Sequence, residues 1–298
     1  MKPLIYSIWL FAGTTILSTT MSEHPYQSFL RSGYTPLIFL SVIIITKFKL
    51  WRFLALTVSV AILLLFSDAI WQWYTNVSIV GFKALPDRRI SGFMPHPNDM
   101  AIIPLLMGFS SVWTWPFGIL LVILSRSRNA LLGLFVTILF HKRFDLRVTL
   151  TTLLVVGTVV LMLRPASPLG GFERLGHWFV AIKMFERAPI LGVGPYTFVD
   201  NYLPFYQSYG GELPFGVKPE IGFIPWAHSL YLETIAERGI LGFVTLAGIL
   251  TMAWRHAERS VRVALATFLV MGLFDLTLLK PWIMGTLWSL ISLGYKDV

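Results

Sequence analysis

The sequence predicts an all-α fold: a polytopic integral membrane protein that forms a single transmembrane domain over residues 1–298. Its composition indicates a membrane protein, because 55% of the residues are hydrophobic and only 13% are charged, whereas soluble domains carry about 25% charged residues. The apolar residues also gather into long runs, which is typical of membrane spans. Lipid cannot satisfy backbone polar groups, so these runs are expected to form helices.

Ten apolar segments follow one another along the chain, and we predict about ten transmembrane helices. Several segments are shorter than the roughly 20 residues that cross a bilayer, so this count includes tilted or broken spans. The segments are 4–17, 35–46, 53–70, 100–113, 115–124, 129–140, 148–163, 239–254, 263–279 and 282–293.

Short basic loops predict the orientation of these helices, because such loops stay on the cytoplasmic side. They are KFKLWR (47–52), HKRFDLR (141–147) and RHAERSVR (255–262). Both termini are then inside, and the opposite side holds the segments 71–99, 125–129 and 164–238. The net charge of +9 is scattered over many connections, which does not favour a nucleic-acid partner.

The segment 164–238 is the one large extramembrane region, and we expect it to carry part of the functional site. Residues 175–189 within it have the spacing of a helix whose apolar face suits the membrane interface. Residues 210–226 are rich in glycine and proline and predict irregular chain. The apolar face of the predicted helix consists of Trp178, Phe179, Ile182 and Phe185.

Several kinds of chemistry have no support in the sequence. The chain has no cysteine, which excludes disulfides, thiol nucleophiles and cysteine-ligated metals. It has no zinc-protease or phosphate-loop motif, and neither a metal nor a cofactor is expected. Gly192 and Gly194 in LGVGPYTF (191–198) lack the third glycine of a dinucleotide site. We interpret them as a turn that needs positive φ.

Three arginines are candidates for binding an anion on the outer side: Arg126, Arg128 and Arg174. An arginine at membrane depth costs about 2.5–3.5 kcal/mol on insertion scales, so it usually faces a cavity or a partner. One interpretation is that Arg128 only extends to the membrane interface. The other is that the planar guanidinium groups hold a phosphate or diphosphate at the outer leaflet.

His228 has two interpretations of equal weight. It is either a structural residue packed against Trp226 and Leu232 at a helix start, or a general base. The second role needs a neutral imidazole near pH 7, which the ordinary histidine pKa of about 6.5 supplies. His96 and His177 are rivals for the same role.

Two glutamates follow His228 in PWAHSLYLETIAERGILGF (225–243). A helix that begins near Ala227 places Glu233 and Glu237 on one face, with His228 turned away from Glu233. This spacing predicts that Glu233 pairs with an arginine of the bundle and that Glu237 is exposed.

Four segments, in order, resemble the O-antigen ligase and polymerase superfamily of bacterial envelope glycosyltransferases. FMPHPNDMAIIPLL (93–106) is similar to the family's Pro-Asn motif, and SRNALLGL (127–134) to its Ser-Arg motif. RLGHWFVAIKMFERAPILGVGPYTF (174–198) resembles its Arg…Trp…Pro-x-x-Gly-x-Gly pattern. AHSLYLETIAERGILGF (227–243) is similar to its His-Asn…Glu-x-Gly-x-x-Gly motif. The chain departs from the family at Ser229, where asparagine is usual, at Asn129, and in the additional Arg126.

The resemblance implies an enzyme of surface-polysaccharide or lipopolysaccharide biosynthesis in the bacterial inner membrane, with its active site facing the periplasm. It would transfer a glycan from undecaprenyl pyrophosphate to a sugar hydroxyl on a glycan or a lipid A core-type acceptor, without metal or cofactor. Back-side attack would invert the anomeric carbon. The resemblance makes His228 the base and Arg128 and Arg174, with Arg126, the diphosphate-binding groups. His177, Glu233 and Asn98 are predicted to support them.

A second hypothesis is a transporter or flippase of a lipid-linked or anionic substrate, in which buried ionisable residues mark a pathway. Asp68 and Asp275 are the acidic residues that suit a proton relay in this sequence. The chain shows no paired interrupted helices and no inverted repeat, which are typical of transporters.

Overall fold

The computed structural model describes residues 2–48, 50–85, 88–107, 115–140, 173–208 and 226–294, together with positions 151, 154, 155 and 158. In these residues it contains no strand, and the predicted all-α class is confirmed. The helices with defined bounds are α1 (Lys2–Thr20), α2 (Pro25–Ser32), α3 (Thr35–Lys47), α4 (Trp51–Thr75), α5 (Pro97–Met107), α6 (Trp115–Ser125), α7 (Arg128–Phe140), α8 (Glu173–Arg187), α9 (Phe198–Ser208), α10 (Leu230–His256), α11 (Arg259–Gly272) and α12 (Pro281–Gly294).

Local sequence signals explain where several of these helices begin and end. α2 and α3 both have proline in the first turn, where its missing N–H is not needed. The hydroxyl of Ser127 accepts a hydrogen bond from Ala130 N–H at the start of α7 (3.2 Å), and Ser229 caps α10 in the same way, as serine commonly does. α4 ends at Asn76, which adopts the left-handed conformation that closes many helices.

Three described stretches are long and apolar enough to cross a membrane: Pro25–Ile45 through α2 and α3, Leu56–Thr75 in α4, and Leu230–His256, which is α10. The helices also carry many large apolar side chains on their outer surface, among them Trp9 of α1, Leu37 of α3 and Leu64 of α4. Apolar surface of this extent is typical of contact with lipid.

The core lies where α1, α3, α10, α11 and α12 pack against one another and against α5 and α7. An aromatic cluster fills its centre. The rings of Phe39 and Trp288 meet edge to face at 4.9 Å, and Phe11 packs against both of them. Edge-to-face contacts of this kind add to the stabilisation from burial.

The connections between helices segregate to two ends of the bundle. At one end, Ile90 N–H donates to Leu124 O (3.2 Å) and the Ser22 hydroxyl donates to Val193 O (2.8 Å). At the other end, Arg259 donates to Phe140 O (3.1 Å). The first is called the site end; it consists of residues 21–24, 88–96, 126–127, 188–197, 226–229 and 273–280.

A backbone clasp fixes the segment 189–194 to α10 at the site end. Gly239 interrupts α10 with a φ of 61°, and Gly192 has a φ of 71°, so the predicted positive-φ turn is confirmed. A Cβ on Gly239 would overlap the Ile190 carbonyl, and one on Gly192 would overlap the backbone of Glu237. Glycine is therefore required at both positions.

Hydrogen bonds close this clasp from both sides of the interruption in α10. Val193 N–H and Gly194 N–H donate to the carbonyls of Ala236 and Glu237, both at 3.0 Å. Ile240 N–H donates in return to Pro189 O (2.9 Å). The clasp thus satisfies backbone groups that the break in the helix leaves open, and it ties α8 to α10.

Two predicted boundaries are wrong. The apolar segment 263–279 is not one helix, because α11 ends at Gly272 and residues 273–280 form a turn before Pro281 starts α12; Leu273 and Phe274 are exposed in it, and residues 275–278 are buried. A buried turn has the same apolar content as a helix, so composition does not separate them. α10 begins at Leu230 instead of near Ala227, because His228 has a φ of 55° and Ser229 is the cap.

The helix predicted at 175–189 is α8. Its buried residues include Val180, Ala181 and Met184, whereas Ile182 on the predicted apolar face is 42% exposed. Phe179 of the same face packs against this buried cluster, and the Trp178 ring lies 6.3 Å from that of Phe274, so the predicted face is divided between the bundle and the outer surface. Four predicted features lie outside the described residues, apart from isolated positions: the basic loop 141–147, the span 148–163, the first part of the long loop at 164–172, and the irregular chain at 209–225.

Candidate functional site

His228 stands at the site end, immediately before α10, in a strained conformation. Its φ of 55° lies in the left-handed region, which is uncommon for residues other than glycine and asparagine. The neighbouring residues Ala227 and Ser229 are buried, while the His228 side chain keeps 24% of its surface exposed. Strained backbone of this kind persists only where the surroundings fix it, and it is frequent at functional sites.

The His228 imidazole is paired with Asp275 from the turn after α11. Nδ1 lies 2.9 Å from Oδ1 of Asp275 and 3.1 Å from Nε1 of Trp226. One nitrogen cannot both donate to the carboxylate and accept from the indole. Because an ionised carboxylate only accepts, we assign the proton to Nδ1 and the hydrogen bond to Asp275. This tautomer leaves Nε2 as the acceptor.

Asn98 holds the other oxygen of the Asp275 carboxylate. Its side-chain amide donates to Oδ2 of Asp275, and its backbone N–H donates to Nδ1 of His96 (3.2 Å). Asp275 is itself only 4% exposed. The first turn of α5, the turn 273–280 and the start of α10 therefore meet at one carboxylate.

An ion pair next to this carboxylate joins the same segments. Nζ of Lys280 lies 2.8 Å from Oδ1 of Asp99, and both side chains are buried. The same ammonium lies 4.1 Å from the centre of the Trp226 ring, a distance at which cation–π attraction is appreciable. Lys280 thus connects α5 to the segment that carries His228.

His177 of α8 stacks on His228, with ring centres 5.2 Å apart and an angle of 21° between the planes. Burial lowers the pKa of His177 to about 4, and the neighbouring His228 and Arg174 lower it further. Burial likewise lowers the pKa of His96 to about 4, with a second contribution from the charge of Lys280. Both rings are therefore neutral at pH 7.

Arg128 and Arg174 lie on the helices α7 and α8, and Arg126 lies in the turn between α6 and α7. Arg174 is one turn before His177 on α8, close enough for its charge to act on the His177 ring. Arg128 begins α7, and the neighbouring Asn129 donates to Met271 O (3.2 Å), the same carbonyl that accepts from Asp275 N–H. Arg126 precedes it with a φ of 49°. All three arginine side chains are half-buried.

Both predictions about the glutamates are wrong. Glu237 is not exposed: it is 2% accessible, accepts the backbone N–H groups of Tyr196 and Phe198 at 2.8 and 3.0 Å, and pairs with Arg238 at 3.2 Å. Glu233 makes no ion pair with an arginine of the described residues; its carboxylate contacts Ala227 N–H and the Thr277 hydroxyl. Glu237 shares the buried face of α10 with Glu233, and its carboxylate faces the backbone of Tyr196 and Phe198.

The residues that sequence reasoning placed last are central in the structure. The sequence suggests Asp275 only as part of a proton relay, but in the structure it is the partner of His228. No sequence motif points to Asp99 or Lys280. The signal that could have found Asp275 and Lys280 is the placement of Asp275 inside the apolar run 263–279 and of Lys280 directly after it, because a charged group in or beside such a run needs a partner. Asp68 lies elsewhere and accepts from Ile79 N–H (2.6 Å).

The arrangement has the parts of a general base. Nε2 of His228 is the acceptor, Asp275 orients the ring, and arginines stand on adjoining helices. Among the described residues, no group of three or more histidine, aspartate or glutamate side chains has the arrangement of a metal site. No family model matches this chain, and no curated protein is significantly similar to it.

Proposed function

We propose that this protein is an inverting, metal-independent glycosyltransferase of the bacterial inner membrane. It moves a glycan from an undecaprenyl-pyrophosphate carrier to a sugar hydroxyl, as an O-antigen or surface-polysaccharide polymerase or ligase. The observation that carries the proposal is the hydrogen-bonded pair of His228 and Asp275 at the site end of an apolar helical bundle. The resemblance of residues 93–243 to the O-antigen ligase and polymerase superfamily supplies the substrate class.

The base in this mechanism is Nε2 of His228. It takes the proton from the acceptor hydroxyl as the hydroxyl oxygen bonds to the anomeric carbon of the donor sugar. Asp275 keeps the Nδ1 proton in place and stabilises the imidazolium that forms, the role of a carboxylate beside a catalytic histidine. General-base assistance of this kind contributes about 10²–10⁴-fold.

The leaving group is undecaprenyl diphosphate, which departs as the bond between the anomeric carbon and the phosphate oxygen breaks. Arg128 and Arg174, with Arg126 beside them, stabilise the negative charge that develops on the diphosphate. Arg128 begins α7, so the positive end of the helix dipole adds to its charge. Attack from the face opposite the diphosphate inverts the anomeric carbon.

A lipid-linked donor explains why the site lies at one end of the bundle. The polyprenyl chain stays in the bilayer, and the diphosphate is presented at the membrane boundary. The proposal includes about ten spans, a periplasmic site end, and a large periplasmic loop over 164–238. The basic connection at 255–262 lies at the end of the bundle opposite the site, which supports this orientation.

The test is transfer from an undecaprenyl-pyrophosphate-linked oligosaccharide by purified protein in detergent or liposomes. We expect wild type to form a glycosidic bond and His228→Ala to lose at least about 100-fold in rate. His256→Ala, an exposed histidine at the last turn of α10, is the matched control and should retain activity. A fully active His228→Ala protein would refute this role for His228.

The same liposomes separate the transferase from the transporter hypothesis. A flippase would move the carrier across the bilayer and form no glycosidic bond. A wild-type protein with that behaviour would overturn the proposed function. Between polymerase and ligase, the acceptor decides: lengthening of a lipid-linked oligosaccharide indicates a polymerase, and transfer to a lipid A core-type acceptor indicates a ligase.

A further inference from the structure

Glu233 joins the two segments that supply His228 and Asp275. One carboxylate oxygen, Oε2, accepts the backbone N–H of Ala227 at 3.2 Å, directly before His228. The other, Oε1, accepts from the hydroxyl of Thr277, two residues after Asp275. Glu233 lies in the first turn of α10 and thus bridges chain segments that are otherwise far apart.

Both contacts of Glu233 lie in the buried interior of the protein. Ala227 and Thr277 are inaccessible, and Glu233 is 2% exposed. The hydroxyl of Thr277 also accepts from Leu279 N–H at 3.0 Å, so its proton is available to point at Glu233. Both oxygens of the carboxylate therefore act as acceptors, and each lost contact leaves a buried polar group unsatisfied.

We propose that Glu233 is a positioning residue for the His228–Asp275 pair: it holds the turn 273–280 against the start of α10 so that Asp275 reaches Nδ1. Glu233 touches neither substrate nor the reacting atoms. Its position accounts for the left-handed backbone of His228, because Ala227 is tied down on one side and Ser229 caps the helix on the other. This inference rests on the proposed function only for its kinetic consequences.

The kinetic test uses substitutions at both partners. Thr277→Val keeps the shape of the side chain and removes its hydroxyl. Glu233→Gln replaces a carboxylate oxygen with an amide NH₂, which cannot accept from Ala227 N–H or from the Thr277 hydroxyl. We expect each to lower kcat about 10-fold or more, with the KM for the lipid-linked donor unchanged. The double variant should be no slower than Glu233→Gln alone, since both changes break the same clamp.

Two further variants guard against a general packing effect. Thr277→Ser restores the hydroxyl and should return kcat to within about threefold of wild type. Thr267→Val removes another buried hydroxyl, which lies 2.9 Å from that of Thr137 in the interface of α7 and α11, and should keep kcat. Equal losses in Thr267→Val and Thr277→Val would overturn the inference.

A spectroscopic readout tests the clamp without any substrate. In protein labelled with ¹⁵N-histidine, the His228 signals, assigned by their loss in His228→Ala, should show the Nδ1–H tautomer in wild type. In Thr277→Val they should move toward the Nε2–H form, while those of His96 and His177 stay in place. An unmoved His228 tautomer in Thr277→Val and Glu233→Gln would refute the positioning role, whereas a wild type without transferase activity would refute only the proposed function.

Discussion

Nδ1 of His228 lies 2.9 Å from Oδ1 of Asp275, although 47 positions separate the two residues. The carboxylate comes from a buried turn between α11 and α12, and the imidazole comes from the residue before the cap of α10. The ring therefore takes its orientation from a helix connection, and the packing of α10, α11 and α12 determines whether the pair forms.

The first prediction concerns the carboxylate of this pair. Asp275→Asn keeps the size of the side chain but removes the charge that stabilises the imidazolium, and its amide can turn a donor toward Nδ1. We expect transfer to fall at least about 100-fold. The measurement is the initial rate with a lipid-linked oligosaccharide, and Glu258→Gln next to the start of α11 serves as the control. Wild-type rates in Asp275→Asn would show that the carboxylate is not needed.

The second prediction concerns the arginines. Lysine keeps the charge but loses the planar pair of donors that suits a diphosphate. Arg128→Lys and Arg174→Lys should therefore weaken the transition state by about 1.5–3 kcal/mol, the range for a hydrogen bond to a charged group. We expect kcat/KM for the donor to fall about 10- to 100-fold. Arg262→Lys, an exposed arginine on α11, is the matched control, and equal behaviour of all three variants would contradict this role.

The third prediction follows from the pKa of His177, which burial lowers to about 4. The unfolded chain binds a proton near pH 6.5, whereas the folded protein does so only near pH 4. The unfolded state thus holds more protons in this window, so the contribution of His177 to stability is present above pH 6.5 and is lost as the pH falls toward 4.

The measurement is thermal or denaturant unfolding in detergent at several pH values. Between about pH 7.5 and about pH 5, His177 should account for a loss of about 2 kcal/mol. His177→Phe keeps an aromatic ring against His228 but does not titrate, so its stability should fall less over the same range. If wild type and variant lose stability in parallel, the ring is protonated in the folded protein.

The fourth prediction compares two glycines of α10. Gly239→Ala brings a Cβ against the Ile190 carbonyl and forces a φ of 61° on alanine, so the clasp must open. Gly248→Ala meets nothing within 4 Å and should stabilise the helix by up to about 1 kcal/mol. Yield of folded protein and the unfolding midpoint should fall for the first and hold for the second. A Gly239→Ala protein as stable as wild type would show that the clasp is dispensable.

Most of the helices could be predicted from the sequence, because the apolar runs are long and the helix ends carry proline, serine or glycine. The error at 263–279 has a physical cause: residues 275–278 are buried and Leu273 and Phe274 are apolar although exposed, so hydropathy gives no sign of a turn. The predicted start of α10 is wrong because His228 has a left-handed backbone. Tertiary contacts hold this conformation, although the local preference of the residue opposes it.

The site could be predicted only in part. His228, Asn98 and His177 were selected, and the structure brings all three into contact with Asp275 or with one another. Glu237 is expected at the surface, but the segment 194–198 folds over α10 and its backbone N–H groups bind the Glu237 carboxylate, a tertiary contact that spacing along one helix cannot predict. No sequence motif points to Lys280 and Asp99, because the two residues pair with each other across about 180 positions of the chain.

By itself, the sequence determined that this is a helical, apolar chain with its polar and basic residues confined mainly to connections. These properties depend on composition and on the order of neighbouring residues. A backbone in lipid must satisfy its own polar groups, so an apolar run is enough to predict a helix. The tertiary structure alone decided which acid meets His228, which glutamate is buried, and how α10 breaks at Gly239. Such pairings join distant parts of the chain, and only the packing of the helices brings their atoms within hydrogen-bond distance.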